Sequence, residues 1–279
     1  MSIEVLNKTD NKLVFIVEGL SIEMINAIRR IILTEIPTMA IDEVIILKND
    51  SPLYDEIVAH RLGMIPLTTD LESYNLPLEC SCEGFGCPLC QTSLTCEITN
   101  NTNKPMVIYS GDLNTNDPNV KPINPNIPIV KINEEEGMIF EAYAVLGLGR
   151  DHVKHQPVAS VAYRYYPKLE FDDSKCKDCP EKCIVAQRCP KKLFDFSNGK
   201  KPKLAEDYWK TCTLCNSCED TCPEDAIEVG WEDQKYIFNI ESDGVHSFET
   251  IISKTFEVFE EKTEEFIEKL EELSESEEI

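Results

Sequence analysis

Four cysteines, Cys212, Cys215, Cys218 and Cys222, stand in the spacing C-x₂-C-x₂-C-x₃-C-P, with Pro223 directly after the last. No other feature constrains the fold as tightly. Two-residue gaps on a tight loop let successive thiolates point at different irons of one [4Fe–4S] cube, and the proline-terminated cysteine typically crosses over to a second cluster. Zinc or disulfides are the plainer and weaker readings of these residues. A cluster loop fills only a small part of the chain, so it does not by itself name a function.

A second group lies upstream: Cys176, Cys179, Cys183 and Cys189, followed by Pro190, in the spacing C-x₂-C-x₃-C-x₅-C-P. It departs from the regular run at its third and fourth positions. Eight cysteines with two Cys-Pro ends predict two clusters with crossed ligation. One would use Cys176, Cys179, Cys183 and Cys222; the other would use Cys212, Cys215, Cys218 and Cys189. The irregular gaps leave room for one cluster, or for a [3Fe–4S] cluster lacking a ligand.

A third group is set apart in CSCEGFGCPLC, where Cys80, Cys82, Cys87 and Cys90 give C-x-C-x₄-C-x₂-C. Two close pairs across a turn suit tetrahedral Zn²⁺, and Gly84 and Gly86 let the backbone fold back. Reduced thiols without metal are the alternative. Disulfides are weaker still, since cluster-bearing proteins live in reducing compartments. Cys96, in a strand-like stretch, reads as a plain buried thiol.

A chain of 279 residues, 42% of them hydrophobic, can hold two or three domains. No apolar run approaches the roughly 20 residues of a membrane span. The start, Met1–Asp10, is polar and lacks a signal-peptide pattern, so the cytoplasm is expected. The formal charge is −24, from 27 basic and 51 acidic residues. That balance argues against direct contact with nucleic acid, which needs clustered Lys and Arg. Part of the excess lies in EELSESEEI, read as a solvated end; salt adaptation is another source of such acidity.

Strands are predicted at Ile3–Leu6, Leu13–Val17, Ile41–Leu47, Ser93–Thr99, Met106–Tyr109, Ala159–Tyr165 and Tyr236–Ile240. Ile129–Ile132 and Met138–Val145 read as a hairpin about Glu134–Gly137, and Asn114–Pro128 as a loop. Ser21 can cap a helix reaching about Thr34, with Ile25, Ile28, Ile31 and Ile32 on one face. Ser51-Pro52 would open a short helix that Gly63 closes. Along the last helix Phe248, Ile252, Phe256, Phe259, Thr263, Phe266, Leu270 and Leu273 recur at gaps of four and three. Such a stripe either packs on its own core or meets a partner's helix.

Nothing points to catalysis on this chain, and no catalytic residue is expected. None of the four histidines belongs to a nucleophile or metal motif. His60 and Arg61 fall on the short helix, in a packed or interface role. His152 and His155 fall in a loop. The aspartates form no Mg²⁺-holding cluster of the kind phosphoryl transfer needs.

NAIRR (Asn26–Arg30) and PTMAIDEVIILKNDSPLYDEIVAHRLGMIPL (Pro37–Leu67) resemble the family of archaeal DNA-directed RNA polymerase assembly subunits of the D type. That family is related to an assembly subunit of eukaryotic polymerases and to the amino-terminal domain of the bacterial alpha subunit. GLGRDHVKHQPVASVAYRYYP (Gly147–Pro167) and FNIESDGVHSFETII (Phe238–Ile252) are similar to the same family, as is the zinc loop. A ferredoxin-like insertion occurs in many of its members.

The resemblance implies an α+β fold in three parts. A discontinuous dimerisation domain would take residues 1–48, 155–170 and 231–279, with a long C-terminal helix. A mostly-β insert with the zinc loop would take 49–154, and a ferredoxin-like [4Fe–4S] domain 171–230. The function implied is a non-catalytic scaffold of DNA-directed RNA polymerase, a nucleotidyltransferase. It would pair with the small L-type polymerase subunit, meet other small assembly subunits and nucleate the large catalytic subunits for transcription. Ile25, Ile28 and Ile32 of the first helix, with Phe256, Phe259, Phe266 and Leu270 of the last, would form the partner face; Arg29 and Arg30 would reach the large subunits. The rival is a ferredoxin-type electron-transfer subunit. The cysteine runs alone suit that rival, whereas a zinc lobe and a heptad-like helix are nothing a carrier needs.

Overall fold

The computed structural model of the chain describes residues 1–176, 183–195 and 203–276. The order begins β1 (Ser2–Lys8), β2 (Lys12–Glu18), α1 (Ile22–Thr34), β3 (Thr38–Asn49), α2 (Asp55–Gly63) and β4 (Gln91–Thr99). It continues with β5 (Met106–Tyr109), β6 (Asn114–Thr115), β7 (Pro128–Ile132), β8 (Gly137–Gly147) and β9 (Ser160–Phe171). The small elements α3 (Ile184–Arg188), β10 (Phe194–Asp195), β11 (Lys203–Leu204), α4 (Tyr208–Thr211) and α5 (Ser217–Thr221) come next. The last two are β12 (Ile227–Glu241) and α6 (Phe248–Ser276). The class is α+β, as the sequence predicts. Among the described residues no helix is long and apolar enough to cross a membrane.

The chain divides into two units. The first comprises Met1–Leu6, Phe15–Ile22 and Tyr163–Phe238. Its sheet has the strand order β1-β2-β12-β9. Aromatic side chains of β2, β9 and β12 line up on this sheet: Phe15 stacks on Phe238 at 5.4 Å, and Tyr163, Tyr165, Tyr236 and Trp231 continue the row. The residues between β9 and β12 form a small lobe whose core mixes Leu169, Val185, Leu193, Phe194 and Ile227 with Cys183, Cys189, Cys212 and Cys218. Among the described residues, four of the nine buried side chains of this core are cysteines.

The second unit comprises Asn7–Val14, Glu23–Ala162 and Asn239–Ile279. It holds an antiparallel sheet in the order β3-β8-β4-β6 and the antiparallel pair β5-β7. Successive strand residues face opposite sides, and β8 obeys this from Met138 onward: Met138, Phe140, Ala142, Ala144 and Leu146 are buried while Ile139, Glu141, Tyr143, Val145 and Gly147 are half-buried. Those side chains meet Met39 and Ile41 of β3, Val58 and Leu62 of α2, and Leu94 and Cys96 of β4. On α1 the buried residues are Ile25, Ile28, Ile31 and Ile32, a stripe at helical spacing.

Three local expectations are corrected. β7 and β8 flank the turn at 133–136 but form no hairpin, because β7 pairs with β5 while β8 lies between β3 and β4. Alternation places each strand's apolar residues on one face but does not name the neighbouring strand. Pro52 does not open α2: the helix starts at Asp55 after a turn in which Asn49 accepts from the Ser51 amide at 3.0 Å and hydroxyl at 2.6 Å. Within the segment read as a loop, Asn114–Thr115 pairs with Thr95 and Leu94.

Candidate metal centres and partner face

The CSCEGFGC turn folds back on itself through left-handed residues Glu83, Gly84 and Gly86, with φ of 51°, 82° and 87°. Backbone turns close around both cysteine pairs: Glu83 N–H donates to the Cys80 carbonyl at 2.9 Å and Cys90 N–H to the Cys87 carbonyl at 3.0 Å. The Cys87 amide also donates to Cys90 Sγ at 3.3 Å. The sulfurs converge: Cys80–Cys87 and Cys82–Cys90 are each 3.5 Å apart, Cys87–Cys90 is 3.8 Å, and all four lie within 4.8 Å of one another. A tetrahedral Zn–S bond of about 2.3 Å corresponds to a sulfur–sulfur edge of about 3.8 Å, so this donor set fits zinc. Burial works to raise the Cys82 thiol, but hydrogen bonds from Cys90, Cys80 and Cys87 outweigh it and bring it down to about 6. Burial pushes Cys90 up to about 12. One thiolate is thus readily formed, and further anions at this spacing need a cation between them. Cys96 stays apart, its thiol pushed up to about 12 by burial, as expected of a plain core thiol.

In the cluster lobe, Cys176, Cys183 and Cys222 line one small cavity with Ile184, Val185 and Ile227. Cys179 lies outside the described residues. Cys189, Cys212 and Cys218 are buried, and Cys215 is exposed. Burial pushes Cys218 up to about 11, with the charges of Cys212 and Cys189 acting in the same direction. Burial likewise raises Cys212, on which Cys215 and Cys189 both act. Cys215 is pulled down by hydrogen bonds from the Ser217 hydroxyl and backbone. The last cysteine of each run therefore lies beside the other run: Cys222 with Cys176 and Cys183, Cys189 with Cys212 and Cys218. Leu214 and Asn216 flank Cys215 in the left-handed region, φ 53° and 57°. That conformation costs a non-glycine residue roughly 1–2 kcal/mol. No disulfide joins the described cysteines.

α6 has 29 residues, a length of about 44 Å at the usual rise. Its first two turns are anchored through buried Phe248, Ile251 and Thr255. Beyond them Phe256, Phe266, Ile267, Leu270 and Leu273 are 48–63% exposed, and Phe259 is half-buried. A cleft of about 490 Å³ runs between α1 and α6, lined by Ala27, Arg30 and Ile31 on one side and Phe259 and Phe266 on the other. Lys262 of α6 closes on Glu35 at 3.2 Å. Ile25, Ile28 and Ile32 face inward, so α1 presents Arg29 and Arg30 outward. Arg29 is steadied by Asn26 Oδ1, 3.1 Å from Nη2.

Residues 39–162 match the RNA polymerase Rpb3/RpoA insert domain, and residues 206–228 match the 4Fe-4S binding domain. The chain is 41% identical over 270 residues to DNA-directed RNA polymerase subunit Rpo3 of Methanosphaera stadtmanae, covering 96% of this chain and 97% of that protein. Rpo3 of Methanothermobacter thermautotrophicus is likewise 41% identical over 270 residues, covering 96% and 98%. Rpo3 of Methanosarcina acetivorans is 34% identical over 274 residues, covering 98% and 99%. The chain belongs to the Rpo3 family of DNA-directed RNA polymerase subunits.

The 4Fe-4S match takes in Cys212, Cys215, Cys218 and Cys222 of this Rpo3-family chain, while the first cysteine run lies outside it. Two of the four histidines are tied into the fold. His155 is buried, its Nδ1–H donating to the Thr38 carbonyl at 2.8 Å, and His246 Nε2–H donates to the Pro37 carbonyl at 3.0 Å. Arg61 donates to the Ile129 carbonyl at 2.8 Å. Sequence reasoning missed Arg164, whose guanidinium grips the backbone ahead of Cys212. The only signal was a cation inside an aromatic strand, AYRYY.

Proposed function

We propose that this chain is a non-catalytic assembly platform of DNA-directed RNA polymerase, pairing with the small L-type subunit before the large catalytic subunits join. The exposed second half of α6 carries the reading. A helix that leaves Phe256, Phe266, Ile267, Leu270 and Leu273 in water, next to a cleft walled by Phe259 and Ile31, is half of an interface. Burying that apolar surface returns about 25 cal/mol per Å² before the costs of association. Phe259 and Leu270 lie in the same half of the helix, and the partner's matching helix would fill the cleft. Arg29 and Arg30, outward on α1 of a strongly acidic chain, suit contact with the large subunits better than contact with DNA. Other small assembly subunits would join the same platform.

Zinc held by Cys80, Cys82, Cys87 and Cys90 would be structural, since four cysteine ligands leave no position for water. In the cluster lobe, Cys176, Cys179, Cys183 and Cys222 would hold one [4Fe–4S] cluster, and Cys189, Cys212, Cys215 and Cys218 the other. The proximity of Cys222 to the first run and of Cys189 to the second supports that crossing. Iron–sulfur clusters carry single electrons when bound; here the thiolates would fold the lobe around them, since buried cysteines make up much of its described core. The domain boundaries proposed are those the sequence suggests, with 171–230 as the cluster domain.

Co-expression tests the platform. Phe259→Asp should abolish co-purification with the small subunit while the chain remains folded. A normal heterodimer from that variant would remove α6 from the interface, and capture of a flavin or hydrogenase partner instead would favour the electron-transfer reading.

A further inference from the structure

Arg164 lies in β9, and its half-buried guanidinium reaches three main-chain carbonyls of one short segment. Nη1 donates to the Cys212 carbonyl at 2.6 Å, and Nη2 donates to those of Trp209 at 3.1 Å and Lys210 at 2.6 Å. These carbonyls belong to the end of α4 and the residue after it, the groups a helix terminus leaves without partners. Two further contacts fasten the same segment to the same strand. The Trp209 ring stacks on Tyr166, centroids 5.3 Å apart and planes at 21°, and the Leu169 amide donates to the Tyr208 hydroxyl at 3.3 Å. Residues 164 and 166 share one face of the strand. The backbone leading into Cys212 is therefore pinned at consecutive points. Beyond Cys212 the loop turns through Leu214 and Asn216 in left-handed conformations, which persist only where the surroundings over-determine them.

We infer that Arg164 is the positioning residue of the Cys212–Cys222 loop: its guanidinium fixes the Cys212 backbone to β9 and places a permanent positive charge beside that run of thiolates. The inference rests on reading this run as a cluster loop. The two roles of the guanidinium separate by chemistry. Only arginine offers a planar fork able to serve three carbonyls, while lysine keeps the charge without the fork. A nearby cation favours the reduced, more negative cluster, so its removal makes reduction harder.

The test uses the full chain, reconstituted anaerobically with ferrous iron and sulfide, as wild type, Arg164→Lys, Arg164→Met and Tyr166→Leu. Iron and sulfide are quantified first. Hydrogen exchange is then followed at amides 208–213, and the midpoint potential is measured by dithionite titration, in which the cluster takes one electron from the reductant. Exchange should accelerate at least tenfold in both Arg164 variants. The midpoint should fall in Arg164→Met and stay near wild type in Arg164→Lys. Tyr166→Leu, which leaves the guanidinium in place, should loosen the segment with the midpoint unchanged. Unchanged exchange in Arg164→Met, or equal midpoints in the Lys and Met variants, would overturn the assignment. If the Arg164 variants lose iron altogether, Tyr166→Leu decides: a loosened segment with an unchanged midpoint supports the assignment, and a shifted midpoint would remove the electrostatic role. A wild-type chain that takes up zinc in this run and no iron would overturn the cluster reading itself, and the inference with it.

Discussion

At the residue scale, His246 shows how a side chain outside every nucleophile and metal motif can set a measurable property. Burial holds its imidazole down to about 4, against which its hydrogen bond to the Pro37 carbonyl works only in part. A histidine depressed in the folded state contributes stability above its unfolded pKa of about 6.5, and this is lost as pH falls toward the folded value. Between pH 7 and pH 5 the loss should be about 2 kcal/mol. Urea unfolding at the two pH values should show a smaller difference in His246→Gln; an unchanged difference would mean the ring is not buried as described. His155, also lowered chiefly by burial, keeps the residual loss above zero in that variant. Cys87 gives a second residue-scale prediction. Cys87→Ser should remove one equivalent of zinc and leave the iron-derived absorbance intact. Iron falling in step would place the Cys80–Cys90 loop in the cluster system.

Elements were legible where a periodic pattern had only one way to be satisfied. The four isoleucines of α1 and the alternation along β8 predicted those elements within a residue or two, because each pattern has a single inward face. The β7–β8 hairpin failed since both strands have an inward face, yet β7 turns to β5 and leaves the neighbour of β8 to be supplied by β3 and β4. Pairing between distant strands is a tertiary choice that local alternation does not encode. Pro52 misled for a similar reason: the Asn49–Ser51 turn took it ahead of α2. The Cys80–Cys90 group, whose sulfurs converge, and the Cys212–Cys222 run, which the 4Fe-4S match takes in, were legible from their spacing. Arg164 was not, because its partners are carbonyls that every residue owns. Within α6, the anchored and projecting halves predict opposite mutational behaviour. Ile251→Ala, at a fully buried position, should lower stability by about 2–5 kcal/mol. Phe266→Asp, 62% exposed, should leave the melting temperature of the isolated chain within a degree or so of wild type and still prevent pairing. Equal destabilisation by both would mean that the second half of α6 packs on the chain itself.

At the scale of the whole molecule, a chain of net charge −24 carries three cysteine groups and a long helix whose second half leaves an apolar stripe exposed. The zinc loop belongs to the unit with the insert sheet, and the cluster lobe is built between β9 and β12. Both α1 and the exposed half of α6 lie outside the cluster lobe. Replacing Cys212 and Cys215 by Ser should therefore disorder the lobe, weaken later assembly and leave the small heterodimer intact. Substituting Arg29 and Arg30 by Ala should likewise spare the heterodimer and block addition of the large subunits, as seen by size-exclusion chromatography. The most direct test of the platform is ordered reconstitution from purified subunits, followed by sedimentation velocity. The wild-type chain should form a one-to-one complex with the small subunit, and the large subunits should join that complex, whereas Phe266→Asp should stop at the free chain. Large subunits that assemble equally well on Phe266→Asp, or that bind the wild-type chain before the small subunit does, would contradict the account.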